Sequence, residues 1–440
     1  MKRTLIGETP DKVGEKVRIK GWISTKRDHG KIAFIDLRDR SGVVQLVVLG
    51  SNKKAFKKVK SARIEAAIEV YGVIKKRPEN LVNKEIATGG IEIEVESLEI
   101  LSNLKEDLPI DISSKELNLT LENLLKFRNL ALRNEKVKAI FFVFQEILFS
   151  YAQVLKKNDF VEIKTPKIIS SASESGANVF KIKYFDRDAF LAQSPQFYKQ
   201  MGVGIFERVF EIGPVFRAEP HFTSRHINEY ISLDAEMGFI DSFEEIMDKL
   251  EEVIWEIMAR VKKNCAKQLS LYETEIPLKV QIPRLKLKEA LEILEKEYGK
   301  KSLEVDIDPE GERLICQYAK EKWGSDFVFL THYPKSIRPF YAMPSQENPE
   351  ETDSFDLLFR GVEIATGGQR IHDYDQLVKS AVDFGIDTKS IASYLENFKF
   401  GLPPHGGWGM GSERITQKVL GLKSIKEAVL YPRDVKRITP

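Results

Sequence analysis

The chain has 440 residues, 42% of them hydrophobic and 30% charged, with a formal net charge of +2. That composition excludes a disordered or fibrous protein, and the length calls for two or more globular domains. Cys265 and Cys316 are too few for a disulfide framework and no Cys/His cluster has zinc spacing, while the N-terminus lacks a signal-like apolar core and the longest apolar run, Ala139 to Phe144, is far short of a membrane span; together these predict a cytoplasmic protein with no membrane partner.

Residues 1–100 carry 21 Lys and Arg against 14 Asp and Glu, leaving 47 against 52 for the remainder. A basic small domain beside a mildly acidic large one suits a polyanionic partner, and equally suits a solvated lysine-rich surface. Strand patterns lie near 16–25, 32–38, 43–49, 66–76 and 91–101, rich in Val and Ile with alternation. Asp39-Arg40-Ser41-Gly42 joins the second and third as a hairpin turn, and Lys53 to Lys60 fits a short basic helix between the third and fourth. Five strands with one helix in that place is the order of an OB-fold barrel, a fold that often binds single-stranded nucleic acid. Residues 1–104 are therefore assigned to this domain and 105–135 to a hinge or linker.

From 136 onward an α+β domain is expected. Val137, Ile140, Phe141, Phe144, Leu148, Tyr151 and Leu155 follow helical spacing, and Phe142 and Phe149 add apolar groups on further faces. Helices at 243–264 and 285–297 alternate with strand-like runs at 208–216, 230–239, 326–330 and 354–365. The strand ending in Phe216-Arg217-Ala218-Glu219 leads into a polar loop with Arg225 and His226 and then a second strand, which suits a phosphate clamp or an exposed charged hairpin. Near the end, Gly401 to Arg414 has glycines at alternate positions and enters a helix at Ser412-Glu413-Arg414. Such a run is either a tight packing joint or a place where backbone meets a nucleotide. Too few residues follow it for the βαβ unit of a dinucleotide-binding fold, which is excluded.

Three segments occur in order: the helix running to Asp159-Phe160-Val161-Glu162-Ile163-Lys164-Thr165-Pro166, the Arg217–Glu219 strand-loop-strand, and the glycine run closing on Glu413-Arg414. They resemble motifs 1, 2 and 3 of the class II aminoacyl-tRNA synthetases. With the barrel in front, the whole chain resembles the subgroup that handles aspartate, asparagine and lysine. The resemblance implies a catalytic domain over 136–440 built on an antiparallel sheet flanked by helices, with ATP and Mg2+ at its site. Ala192 to Gln200 resembles the aspartate-specific form of a shared segment, and Lys199 is the residue the asparagine enzymes lack. Physics agrees: a β-carboxylate in a closed pocket needs cations, and Lys199 and Arg370 supply two. Asparagine would leave both unneutralised.

The resemblance further implies that Glu174 holds the substrate ammonium, with Gln196 and Asp234 in the same pocket. It implies that Arg217 bridges the amino acid carboxylate and the ATP α-phosphate. Glu219, Arg225, His226, Ile227, Tyr230, Glu363, Gly411, Ser412, Glu413 and Arg414 fall in the ATP-binding motifs, with Tyr230 where the family has phenylalanine against adenine and Arg414 on the other face. Glu363 matches a Mg2+ ligand, and Thr366 stands where close relatives have serine as a metal and substrate contact. Phe34 and Gln45 match anticodon contacts. Ser24 replaces a tryptophan of strictly tRNA(Asp)-specific archaeal enzymes, and the loop Arg77 to Asn83 resembles the bacterial form. The expectation is an aspartate–tRNA ligase acting on tRNA(Asp) and also on tRNA(Asn), assembled as a homodimer through motif 1. The rivals are an asparagine enzyme, an amide synthetase on the same fold, and a non-catalytic RNA-binding paralogue. The last is disfavoured by the presence of Arg217, Glu363, Arg370 and Arg414, the amide synthetase by the basic barrel.

Overall fold

A computed structural model of the chain describes residues 1–170, 179–221, 223–301 and 306–440, which form two compact units, Met1–Asn134 and Glu135–Pro440. In the first unit, β1 (Lys16–Asp28), β2 (Ile32–Asp39), β3 (Gly42–Leu49), β4 (Ala67–Lys76) and β5 (Ile91–Ser102) close a barrel in the order β1-β2-β3-β5-β4. Every neighbouring pair is antiparallel except β3 and β5. Strict alternation closes it: Val17, Ile19 and Ile23 of β1, and Ala33, Ile35 and Leu37 of β2, all turn inward and are buried. The helix Lys53–Ser61 starts where the Asn52 side chain accepts a hydrogen bond from the Ala55 amide, and it buries Ala55, Phe56 and Val59. Residues 105–134, expected as a connector, group with this unit and carry a small cluster of their own around Ile110, Ile112 and Ala131.

The second unit holds two sheets. β6 (Val161–Glu162), β10 (Arg208–Phe216), β11 (Glu229–Gly238), β12 (Arg284–Lys286), β13 (Phe327–Thr331), β14 (Ser354–Phe359), β15 (Val362–Arg370) and β16 (His405–Gly411) form an eight-stranded sheet ordered β12-β13-β14-β15-β16-β11-β10-β6. It is antiparallel through six central strands and parallel only at the two outer pairs. A three-stranded sheet joins β7 (Ile168–Ile169), β9 (Arg187–Leu191) and β8 (Lys181–Tyr184).

One local expectation changes. The run 354–365 is not one strand but the β14–β15 hairpin, because Arg360 and Gly361 both take positive φ, 46° and 81°, and make a two-residue turn. Within the glycine run, His405–Gly411 is a central strand between β15 and β11. Its glycines serve close packing first. A Cβ on Gly407 would sit 2.0 Å from the Ala235 carbonyl oxygen, and one on Gly406 would sit 2.2 Å from Ile246 Cδ1.

The helix Glu135–Lys157 turns Ile140, Val143, Ile147, Tyr151 and Val154 into the main core, with Phe210, Leu233 and Trp408 of the sheet and the helix Glu244–Asn264. It is the one helix among the described residues long and apolar enough to cross a membrane, and this buried stripe accounts for its apolarity. Phe142 and Phe149 remain about half exposed on other faces.

Candidate active site

β10 and β11 run side by side from Arg208/Met237 to Phe216/Glu229, so their far ends carry Arg217 and Tyr230 to one rim of a cavity of about 370 Å³. β15 brings Glu363, Thr366 and Arg370, β16 brings Gly409 and Gly411, and the following helix, Ser412–Leu420, brings Arg414. The helix Gln196–Phe206 contributes Gln196 and Lys199. Glu219, Arg225, His226, Ile227, Asp234 and Glu413 complete the expected residues that the cavity gathers. Ser412 is not among them: it is fully buried and its hydroxyl donates to the Ile231 carbonyl at 2.8 Å. Glu413 lines the cavity, yet its carboxylate accepts from the Ile231 amide at 3.0 Å, and burial pushes its pKa up to about 7. Glu174 lies outside the described residues.

At the deep end, Lys199 is almost fully buried. Its Nζ donates to Asp234 Oδ1 at 3.1 Å and to the Trp408 carbonyl at 2.9 Å, and lies 3.3 Å from Glu236 Oε2. Arg370 Nε donates to Glu236 Oε1 at 3.0 Å, and its guanidinium stands 5.5 Å from the Tyr341 ring centre. Glu236 was missed by sequence reasoning. It is fully buried; burial opposes its charge, but Arg370 and Lys199 prevail and hold its pKa below the ordinary carboxylate value. Asp234 and Glu236 therefore already balance the charge of the two cations, and both cationic side chains still line the cavity. Asp234 Oδ2, Gln196 Nε2, Glu236 Oε2 and His405 Nε2 are among the buried polar atoms here without hydrogen-bond partners among the described residues. His405 beneath Glu236 shares its Nδ1 proton with the Pro403 carbonyl at 2.8 Å, and burial lowers its pKa to about 4, so it is neutral at pH 7.

At the other end, Arg414 Nη1 donates to the Glu363 carbonyl at 2.9 Å and to its Oε1 at 3.2 Å. Burial opposes the Glu363 charge, yet Arg414, Arg217 and Arg338 together lower its pKa. The Thr366 hydroxyl donates to Glu363 Oε1 at 3.2 Å. Asp356, also missed, faces Thr366 across the β14–β15 register. Burial raises its pKa, Arg338 at 2.9 Å lowers it, and Glu363 raises it again. A seven-residue carboxylate spacing across a tight hairpin was the available signal, hidden by reading 354–365 as a single strand. Among the described residues no three His, Cys, Asp or Glu side chains gather as a metal cluster. Arg217 sits 5.8 Å from the Tyr230 ring centre and 4.0 Å from Glu219, which also meets His226 Nε2 at 3.4 Å.

In the first unit, Phe34 points out of the barrel, since its neighbours Ala33 and Ile35 are the buried ones, and it meets His29 edge-on at 5.8 Å. Gln45 on the adjacent strand is buried and held by Glu92 at 3.2 Å and Arg77 at 3.4 Å. Ser24 sits at a bulge of β1, its hydroxyl on the Asp36 carbonyl at 2.7 Å. Trp22, 42% exposed under the Arg38 guanidinium, adds an outward aromatic.

A closed five-stranded barrel, together with a separate antiparallel sheet whose pocket is rich in arginine and acid, defines a class II tRNA synthetase. Residues 120–435 match the family of class II tRNA synthetases for D, K and N, and residues 17–101 match the OB-fold nucleic acid binding domain. An aspartate–tRNA(Asp/Asn) ligase of Aeropyrum pernix is 46% identical over 99% of this chain and 98% of its own, and an aspartate–tRNA(Asp) ligase of Pyrococcus abyssi is 43% identical over 97% of each. The chain belongs to the aspartate–tRNA ligase family. Its fold is also that of the Pyrococcus horikoshii asparaginyl-tRNA synthetase solved with asparaginyl-adenylate, with a TM-score of 0.91 at 30% identity over 100% of both chains. Fold alone therefore does not separate aspartate from asparagine.

Proposed function

We propose that this chain ligates L-aspartate to tRNA(Asp), and also to tRNA(Asn), through an aspartyl-adenylate. The observation that carries the choice of amino acid is the buried quartet Lys199, Arg370, Asp234 and Glu236, whose formal charges cancel. Aspartate adds an ammonium and a β-carboxylate, which also cancel. The free Oδ2 of Asp234, with Gln196 and the family glutamate position Glu174, suits the ammonium; Lys199 and Arg370 suit the β-carboxylate. Asparagine brings the same ammonium but no second anion, so its side chain offers Lys199 and Arg370 no charged partner.

Arg217 is assigned to the α-carboxylate and the ATP α-phosphate, Arg225 and His226 to the polyphosphate, and Tyr230 and Arg414 to the two faces of adenine. Glu219, Ile227 and the Gly411–Glu413 backbone frame the nucleotide. An oxygen of the α-carboxylate attacks the α-phosphorus, and the bond to pyrophosphate breaks. No proton need move in this step, so the arginines act by position and charge. In the second step a hydroxyl of the terminal tRNA ribose attacks the adenylate carbonyl, and AMP leaves. The oxygen-only set of Glu363, Thr366 and Asp356 fits Mg2+, which takes one or two carboxylates and completes its shell with phosphates and water. Asp356 Oδ1 supports the fit, being buried without a hydrogen-bond partner among the described residues. Mg2+, when bound, supplies positive charge to the polyphosphate.

Residues 1–104 are proposed to read the anticodon, with Phe34 stacking on a base and Gln45 and Ser24 beside it. Residues 105–135 serve as the joint, and 136–440 as the catalytic domain. The exposed Phe142 and Phe149 favour a homodimer through the Glu135–Lys157 helix, and the enzyme is placed in the cytoplasm. Charging purified tRNA(Asp) and tRNA(Asn) transcripts with labelled aspartate tests the reading. Both should accept aspartate; aspartylation of tRNA(Asp) alone would remove the tRNA(Asn) part, and of neither would remove the whole.

A further inference from the structure

We propose that Glu312, on the helix Pro309–Trp323, is a positioning residue that aims Arg225 at the polyphosphate of ATP. The inference rests on the assignment of Arg225 to that part of the nucleotide.

Asp308 caps the helix by accepting from the Gly311 amide at 2.7 Å, and Pro309 occupies its first position. Gly311 permits the close seat of this turn, since a Cβ there would lie 2.6 Å from Ile307 Cγ1. The turn carries three carboxylates with different surroundings. Asp308 and Glu310 are about half exposed and share Lys300, each at 2.9 Å. Glu312 is turned the other way: its side chain is 13% exposed, and it pairs with Arg225 from a loop 87 residues earlier in the chain.

That position is unfavourable for a carboxylate unless something compensates. Burial raises the Glu312 pKa, Arg225 lowers it, Glu363 raises it again and Arg414 lowers it; Lys418 faces the same group. A carboxylate held in from solvent, near a second carboxylate, is stabilised by its cation. The reciprocal effect falls on Arg225. One guanidinium nitrogen, Nη2, is taken by Glu312, while the side chain still lines the cavity. A guanidinium has five donors in a rigid fork, so fixing one edge orients the others. The backbone around it is already tied: the Ile425 amide donates to the Ser224 carbonyl at 2.9 Å, and the Arg225 amide donates to Thr223 Oγ1 at 3.1 Å. Glu312 supplies the side-chain tie that the backbone contacts cannot. It does not line the cavity, and its effect on the reaction passes through Arg225.

The test is pyrophosphate exchange by the full-length enzyme carrying Glu312→Ala, Glu312→Gln, Arg225→Ala, or Glu312→Ala with Arg225→Ala. Binding of the non-reactive analogue aspartyl-sulfamoyl-adenosine, which has no polyphosphate, is measured beside it. Glu312→Ala should raise the ATP KM about tenfold while leaving the aspartate KM and the analogue affinity unchanged. Glu312→Gln, which keeps an acceptor, should recover part of the loss, and it carries the same measurement if Glu312→Ala does not fold. The double variant should be no worse than Arg225→Ala alone. An unchanged or lowered ATP KM in the Glu312 variants, or an equal loss of analogue affinity, would overturn the proposal. If Arg225→Ala raises the ATP KM and the Glu312 variants do not, only the role of Glu312 fails. If Arg225→Ala leaves it unchanged, the assignment of Arg225 to ATP fails with it.

Discussion

Lys199 has one Nζ placed among Asp234, Glu236 and the Trp408 carbonyl, all out of water. Lys199→Met would leave two buried carboxylates with Arg370 alone. A loss of about 3–5 kcal/mol in stability is expected, together with loss of aspartate-dependent exchange; urea denaturation and exchange assays check the two separately. Glu413 offers a pH test. Its pKa of about 7 lies above the ordinary 4.5, so the folded state binds the proton more tightly than the unfolded one. The associated stability is present below pH 4.5 and is lost as pH rises to about 7. Glu413→Gln, which stays neutral, should therefore gain about 3 kcal/mol relative to the parent at pH 8 and nothing at pH 4.5. A pH-independent difference in denaturation midpoints would contradict this. Lys199 and Arg370 were legible as residue types suited to a buried anion. Glu236 was not, because a glutamate alternating along a strand looks like an exposed polar face until Lys199 from the helix Gln196–Phe206 and Arg370 from β15 are known to meet it.

At the scale of the element, β16 divides its glycines by task. Gly407→Ala would drive a Cβ into the Ala235 carbonyl and should cost about 3 kcal/mol or more, read as a drop in melting temperature. Gly409→Ala has one tight contact, Asp234 Oδ1 at 3.2 Å, so it should fold and instead raise the aspartate KM. Equal melting temperatures for the two would refute the division. The glycine spacing was visible in the sequence, but its cause was not. Alternate glycines in a loop and in a central strand look alike, and only pairing on both sides distinguishes them. The β14–β15 turn was hidden for a related reason: Arg360 at positive φ gives no composition signal, and Gly361 alone reads as an interruption. The barrel was the more legible fold, because each strand has one wet face and alternation survives.

At the scale of the molecule, the proposed division gives nucleic-acid reading to the basic barrel and amino acid activation to the mildly acidic second unit. Phe142 and Phe149 are exposed on a helix whose other side is fully packed, and a homodimer would cover them. Sedimentation should give a dimer mass, and Phe142→Glu with Phe149→Glu should shift it toward monomer; a parent enzyme that is monomeric at all concentrations would contradict this. The order of the three motifs was readable because each pairs a charged residue with a structural signature. Selection of aspartate is the central claim, since the same fold serves asparagine in a relative of TM-score 0.91. The most direct measurement is ATP–pyrophosphate exchange with aspartate and asparagine in turn. Pairing of the β-carboxylate with Lys199 and Arg370, which both line the cavity, predicts exchange with aspartate at least about a hundredfold above asparagine. Exchange supported by asparagine alone would contradict it.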